Sequence, residues 1–85
     1  MKFKKKPVEV DAIQFEEDQV EEVVEFIKSF QNNTDGFYIS DNSVIVNTLE
    51  GSMNLTPGNW LIRGIEGEFY PCQDSVFVSS YDPIS

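Results

Sequence analysis

The pattern of apolar and polar residues over positions 18–31 is that of an amphipathic helix. The apolar residues at the i, i+3, i+4 and i+7 type of spacing are Val20, Val23, Val24, Ile27 and Phe30. Asp18 followed by Glu21 has the spacing of a capping box, which predicts that the helix begins with Asp18 as its N-cap. The polar, glycine-containing residues 31–36 predict where it ends.

The residues on either side of this helix follow the two-residue period of β-strands. Before the helix, valines and Ala12 alternate with acidic residues over positions 8–12, which predicts a half-buried strand. The alternation slips by one residue after Ala12, and we interpret the slip as a bulge or a strand end. After the helix, short strands are predicted at residues 37–40, 43–48, 53–55, 60–63 and 68–72. The first two of these strands are expected to form a hairpin.

Two turns and a short C-terminal helix complete the predicted elements. Residues 56–59 carry Pro57 and Gly58 at the two central positions, which favours a type II turn. Residues 64–67 begin and end with glycine and predict a tight turn between two strands. The segment 74–81 combines a candidate capping residue at its start with valines that favour strands, and we expect a short helix there.

The order of these elements predicts the fold class. A strand, a helix and a run of short antiparallel strands indicate one α+β domain over residues 1–85, in which a single helix packs on a curled, mainly antiparallel sheet. The chain has nine Val and seven Ile against three Leu and one Ala, which also favours strands. Eighty-five residues are close to the lower limit for a single core, and the aromatic residues, 13% of the chain, offset this small size.

The residue types that are missing exclude several classes of site. The chain has no histidine, so a histidine-activated nucleophile and a histidine general base are excluded. Its single cysteine, Cys72, has no partner for an intramolecular disulfide and is too few for a zinc site built from Cys and His. We therefore expect a protein that is not an enzyme and that binds no cofactor and no metal.

The formal net charge of −9 is unevenly distributed along the chain. The first six residues, MKFKKK, hold four of the six basic residues and form a basic N-terminal arm. From Pro7 onward, Lys28 and Arg63 are the only cations beside all 15 acidic residues. Such a surface repels phosphate backbones, so we expect no binding to duplex nucleic acid. No apolar run is long enough for a membrane helix or a secretory signal, which predicts no membrane contact and a cytoplasmic location.

The sequence PGNWLIRGIEGEFYPC at residues 57–72 contains a specific motif. It consists of P-G-x-W, an apolar pair, a basic residue and glycine, followed by G-E-F-Y-P-C, and it resembles the motif of a family of small phage and prophage proteins. The basic start of the chain and the tail aromatics Phe77 and Tyr81 match as well. The chain departs from the family pattern at Asn59, where the family has Asp, and at residues 73–75, where the family has Lys-Pro-Asp.

The resemblance implies a phage or prophage accessory protein, from a family with no established activity. A phage origin implies that the protein acts in the host bacterial cytoplasm on a host component. We expect it to act without catalysis, by binding a host protein. Because a small sheet must cover its edges, we also expect a homodimer formed through an edge strand, or a higher homo-oligomer.

Four residues are candidates for contact with a ligand or partner, namely Trp60, Arg63, Glu68 and Tyr70. Arg63 fits either a clamp for an anion or an internal ion pair with Glu66 or Glu68. Trp60 and Tyr70 fit either a binding hot spot or packing on a strand that is covered on both faces.

Three alternative functions are also compatible with the sequence. The first is a sponge for a small anionic, nucleotide-like ligand, held by Arg63 while an aromatic side chain stacks on its base. The second is an enzyme whose divalent metal is held by Glu66, Glu68 or Asp74. The third is a DNA mimic, which requires carboxylates that are spaced like phosphates along one surface.

Overall fold

The computed structural model describes residues 1–3 and 8–84. The expected basic arm, residues 1–6, therefore lies partly outside the described residues. The elements of the described part are, in chain order, β1 (Asp11–Gln14), α1 (Val20–Lys28), β2 (Phe37–Ile39), β3 (Val44–Thr48), β4 (Gly51–Leu55), β5 (Trp60–Arg63), β6 (Phe69–Cys72) and α2 (Asp74–Ser80). This combination of helices and antiparallel strands confirms the α+β prediction.

The strands of the described residues form two three-stranded antiparallel sheets, where the sequence predicted one curled sheet. We call them sheet A, with strand order β1-β5-β6, and sheet B, with strand order β2-β3-β4. Sheet B is a run of consecutive hairpins. In sheet A, β5 pairs with the distant strand β1 and with its neighbour β6. The chain leaves sheet B after Leu55 and enters sheet A at Trp60, so the turn between them divides the strands into two groups.

Strand β1 begins close to the point where the alternation of the sequence slips. Its four residues pair with β5 without interruption, from Asp11 opposite Arg63 to Gln14 opposite Trp60. No bulge interrupts β1, and a strand end does lie near Ala12, because β1 begins at Asp11. The prediction of a strand over residues 8–12 is wrong for residues 8–10, which precede β1. The change of alternation therefore falls close to the residue at which the chain enters sheet A.

Helix α1 is shorter than predicted, and Asp18 is not its N-cap. The N-cap is Gln19, and no side chain there bonds the first turn of the helix. Asp18 instead takes a left-handed conformation, with φ of 65°, in a turn closed by a hydrogen bond from the Gln19 N–H to the Glu16 carbonyl, N···O 3.1 Å. Aspartate tolerates this conformation better than most residues. Asp18 therefore belongs to the turn between β1 and α1, and not to the helix.

The main core lies between α1 and the two sheets. Its buried residues, each at most 2% exposed, are Phe15, Val23, Ile27, Val44, Val46, Leu55 and Leu61. The ring of Phe69 on β6 packs edge-on against the rings of Phe26, Phe30 and Phe37, with centroid separations of 6.3, 6.2 and 5.3 Å. Edge-to-face aromatic pairs stabilise beyond the area they bury. Strand β6 therefore connects sheet A to both α1 and sheet B.

Both predicted turns are present. Gly58 has φ of 91°, and the Asn59 N–H donates to the Thr56 carbonyl with N···O 3.1 Å, as a type II turn requires. In the β5–β6 hairpin, Gly67 has φ of 87° and its N–H donates to the Gly64 carbonyl over 3.0 Å. These turns place Trp60 and Arg63 at the two ends of β5.

The short helix expected in the tail is confirmed as α2. Its N-cap is Gln73, with an extended backbone, and Asp74 is its first residue. None of its residues is fully buried. Within the described chain, neither α1 nor α2 has the length and apolar character that a membrane crossing requires.

Candidate functional site

The face of sheet A that points away from the main core is covered by α2. The register places Trp60 opposite Cys72 and Ile62 opposite Tyr70, so these side chains share that face. The indole of Trp60 stacks on the ring of Phe77, with centroids 4.0 Å apart and planes 10° from parallel. Sheet A is therefore covered on both faces, by the main core on one side and by α2 on the other.

A column of three aromatic rings continues from the sheet along α2. Phe77 stacks on Trp60 at one side, and on Tyr81 at the other, with a centroid separation of 5.1 Å and planes 29° apart. Tyr81 follows the last residue of α2 directly. The column thus joins β5 to the C-terminal tail and forms one wall of the surface described below.

The carboxylate of Asp74 attaches the first residue of α2 to sheet A. Its Oδ1 accepts hydrogen bonds from Trp60 Nε1 at 2.8 Å and from Gln14 Nε2 at 3.3 Å. The backbone N–H of Asp74 donates to Asn59 Oδ1 at 3.1 Å. Gln14 Nε2 also donates to the Gly58 carbonyl at 2.9 Å. Asp74 is therefore engaged in positioning the helix, in contrast to the metal-ligand role considered from the sequence.

Tyr70 and Tyr81 connect sheet A to the chain at the C-terminal end of α2. Burial raises the pKa of Tyr70 from 10.0 to about 12, and a hydrogen bond with Tyr81 and the negative charge of Glu68 act in the same direction. Tyr70 is consequently protonated at neutral pH. Its hydroxyl contributes to holding the tail against β6 through the hydrogen bond with Tyr81.

Glu68 and Tyr70 meet above the backbone of Gly64. A Cβ at position 64 would overlap the Glu68 carboxylate and would lie 3.2 Å from Cε1 of Tyr70. Only a residue without a side chain leaves room for both groups there. The structure therefore brings together three of the four candidate residues, Trp60, Glu68 and Tyr70, on the α2 side of sheet A.

Arg63, the fourth candidate, lies on the opposite face. Its place three residues after Trp60 on β5 gives it the opposite orientation, and its guanidinium lies over the ring of Phe30, 4.5 Å from the centroid. The contact that the structure gives this guanidinium is a cation–π contact. The buried Nε of Arg63 has no hydrogen-bond partner among the described residues. An anion clamp that combines Arg63 with Trp60 or Tyr70 is not formed within one chain.

An open groove of about 740 Å³ runs between the segment 8–12 and the C-terminal part of the chain. One wall is residues 8–12, and the other is formed by Phe77, Val78 and residues 81–84, with Trp60 between them. We call this surface the acidic groove. Aromatic rings and valines supply its apolar surface.

Within the described part of the chain, the charged residues that line the acidic groove are all acidic, namely Glu9, Asp11 and Asp82. Each of the three side chains is exposed. Of the four candidates predicted from the sequence, Trp60 is the one that lines the groove. Sequence reasoning missed the other residues that line the groove. The features that could have indicated them are the acidic residues among positions 8–12 and the Tyr81-Asp82 pair.

The described residues also bear on two other kinds of chemistry, metal binding and the reactivity of Cys72. Within residues 1–3 and 8–84, no three Cys, Asp or Glu side chains come together as metal ligands. Burial raises the pKa of the free thiol of Cys72, whose Sγ lies 3.6 Å from the Gln73 carbonyl. A raised pKa lowers the thiolate fraction and with it the nucleophilicity of the cysteine.

Comparison of the chain with protein-family models, with curated proteins and with solved structures finds no significant match.

Proposed function

We propose that the chain is a non-enzymatic binding protein, a phage or prophage accessory protein that binds a host protein in the bacterial cytoplasm. The observation that carries this proposal is the acidic groove, which combines stacked aromatic rings with exposed carboxylates. Aromatic residues in a concave surface supply contact area, and charged residues at its rim select the partner. A segment of another protein chain is the class of ligand that suits an open groove with both properties.

We further propose that the protein is a homo-oligomer. Both sheets are open, so β1 and β6 are the edges of sheet A, and β2 and β4 are the edges of sheet B. Unpaired edge groups favour association with another chain unless they are covered. Residues 51–54 of β4 are exposed throughout, so this edge is available for the edge-strand pairing expected from the sequence.

The sponge for a nucleotide-like anion has less support from the geometry. Arg63 lies on the far side of sheet A from Trp60, so the cation and the stacking ring do not face one site. The carboxylates of the groove also repel an anionic ligand. We therefore do not propose this alternative.

The binding function is tested by affinity capture from host bacterial lysate with three forms of the full chain. The groove variant carries Glu9→Gln, Asp11→Asn and Asp82→Asn. The matched control, which changes the same number of exposed carboxylates on α1, carries Glu21→Gln, Glu22→Gln and Glu25→Gln. We expect a host protein that is captured by the wild type and by the control and is lost with the groove variant. Equal capture by all three forms, or no specific capture, would overturn the proposal.

A further inference from the structure

We propose that the acidic groove of one chain binds the lysine-rich N-terminal arm of a second copy, and that this contact forms the homo-oligomer. The inference rests on the proposed function, because it names a protein segment as the occupant of the same groove. It replaces the edge-strand dimer with a defined pairing of arm and groove.

The first observation is charge complementarity. Among the described residues, the charged residues that line the groove are all acidic, namely Glu9, Asp11 and Asp82. The arm, residues 1–6, carries four lysines within six positions. Opposite charges on two surfaces guide their encounter and fix their orientation. The arm is the one segment of this chain whose charge complements the groove, since the remaining basic residues, Lys28 and Arg63, stand alone.

The second observation is that apolar side chains of the arm are unburied in the single chain. Met1 is fully exposed, and the Phe3 ring is 87% exposed. The groove offers the matching apolar surface on Phe77, Tyr81 and the valines of its two walls. A ring in the groove removes apolar area from water on both surfaces, which favours binding.

The exposure of Phe3 also distinguishes a second copy from the chain's own arm. Because Phe3 is exposed, the arm does not place this ring in the groove of its own chain. Val8, the first residue after the arm that the structure describes, is itself a groove-lining residue. Each arm is therefore joined to the chain at the rim of its own groove, and seven residues can span at most about 25 Å. A two-fold arrangement of two chains allows each arm to enter the groove of the other.

The central experiment measures the mass of the full chain by light scattering during gel filtration, for wild type and two variants. The arm variant carries Lys2→Gln, Lys4→Gln, Lys5→Gln and Lys6→Gln, and the groove variant carries Glu9→Gln, Asp11→Asn and Asp82→Asn. We expect a wild-type dimer, and a dissociation constant raised at least about tenfold in each variant. The control with Glu21→Gln, Glu22→Gln and Glu25→Gln should stay dimeric.

The groove variant separates specific pairing from general electrostatics. Removing three negative charges from an acidic protein reduces the repulsion between copies, so a non-specific account predicts a tighter dimer. Arm-in-groove pairing predicts a weaker one. A mixture of the arm variant and the groove variant should recover association, because the groove of the first can hold the arm of the second.

A second readout uses Trp60, the only tryptophan of the chain, which lies in the groove. The synthetic peptide MKFKKKP, added to the arm variant, should change the Trp60 emission. The peptide MQFQQQP should leave it unchanged, and so should MKFKKKP added to the groove variant.

Several outcomes overturn the arm proposal and leave the proposed function standing. These are a wild type that is monomeric at about 100 μM, a dimer that neither variant weakens, or mixed variants that fail to associate. If the groove variant loses the dimer while all forms capture the same lysate proteins, the arm proposal stands and host binding through the groove fails.

Discussion

The indole of Trp60 and the ring of Phe77 are stacked nearly parallel, with centroids 4.0 Å apart. This contact joins β5 to α2, a helix with no fully buried residue. The position of α2 therefore depends on a small number of contacts, chiefly this stack and the hydrogen bonds of Asp74. Because α2 supplies a wall of the acidic groove, the same contacts determine the shape of the groove.

Replacement of Phe77 by alanine should destabilise the fold by about 2 kcal/mol, because it removes the central ring of the aromatic column and leaves Trp60 and Tyr81 without their stacking partner. Urea unfolding and the near-ultraviolet circular dichroism of Trp60 measure the effect. Val76→Ala is the matched control, since Val76 lies on the same helix, is half exposed and does not line the groove. Equal effects of the two substitutions would show that the stack does not hold α2.

Asp74→Ala should cost about 1–2 kcal/mol, since the indole N–H of Trp60 and the Gln14 amide both lose their acceptor. Asp74→Asn keeps an acceptor oxygen and should cost less. Asp41→Ala, in the exposed turn between β2 and β3, serves as the control and should change the free energy of unfolding little. A cost for Asp41→Ala as large as that for Asp74→Ala would contradict the assigned role of Asp74.

The raised pKa of Tyr70 makes stability depend on pH in the alkaline range. The folded chain retains the Tyr70 proton up to about pH 12, whereas the unfolded chain loses it near pH 10. This contribution to stability is complete below pH 10 and is lost as the pH rises towards 12, because the unfolded state then binds fewer protons.

An absorbance titration of tyrosinate tests this assignment. In a Tyr38→Phe background, the last titration midpoint should lie near 12, and adding Tyr81→Phe should lower it by removing the hydrogen bond to Tyr70. Tyr38 is the appropriate tyrosine to remove, because its side chain is 67% exposed. If every tyrosine of the folded protein titrates near pH 10, the buried Tyr70–Tyr81 contact is wrong.

Asp18→Gly should stabilise the protein by about 0.5–1 kcal/mol. Asp18 has φ of 65°, a conformation that glycine adopts without the steric cost of a Cβ. Asp18→Val, with a branched Cβ, should destabilise it by more than that amount. Thermal unfolding of the three forms provides the comparison, and a destabilising glycine would mean that the turn does not require positive φ.

The local elements of this fold were predictable because short-range patterns determine them. The stripe of Val23 and Ile27 predicted α1, and the pair Pro57-Gly58 predicted the type II turn, both of which are present. The end of a helix is less well determined, because Asp18 has the same capping chemistry in a turn as at an N-cap. In the structure Asp18 lies in the turn between β1 and α1. The place of that turn depends on the long-range pairing of β1 with β5, which local patterns do not specify.

The division into two sheets and the acidic groove were not predictable from such patterns. Both depend on β1 pairing with β5, which brings Asp11 opposite Arg63. No local signal specifies a partner so far along the chain. By contrast, the separation of Arg63 from Trp60 follows from their spacing of three on one strand, which places them on opposite faces.

The pairing of β1 with β5 also has a consequence for the order in which the chain folds. Sheet B is built from neighbouring hairpins, whereas Ala12 must meet Ile62 across about 50 residues, and contacts of such long range form slowly. During synthesis, sheet B can form as soon as β4 has left the ribosome, while β1 must wait for β5 and α2 for β6. The acidic groove, which contains residues of the segments 8–12 and 77–84, is therefore completed last, and the nascent protein acquires its proposed binding surface only at the end of folding.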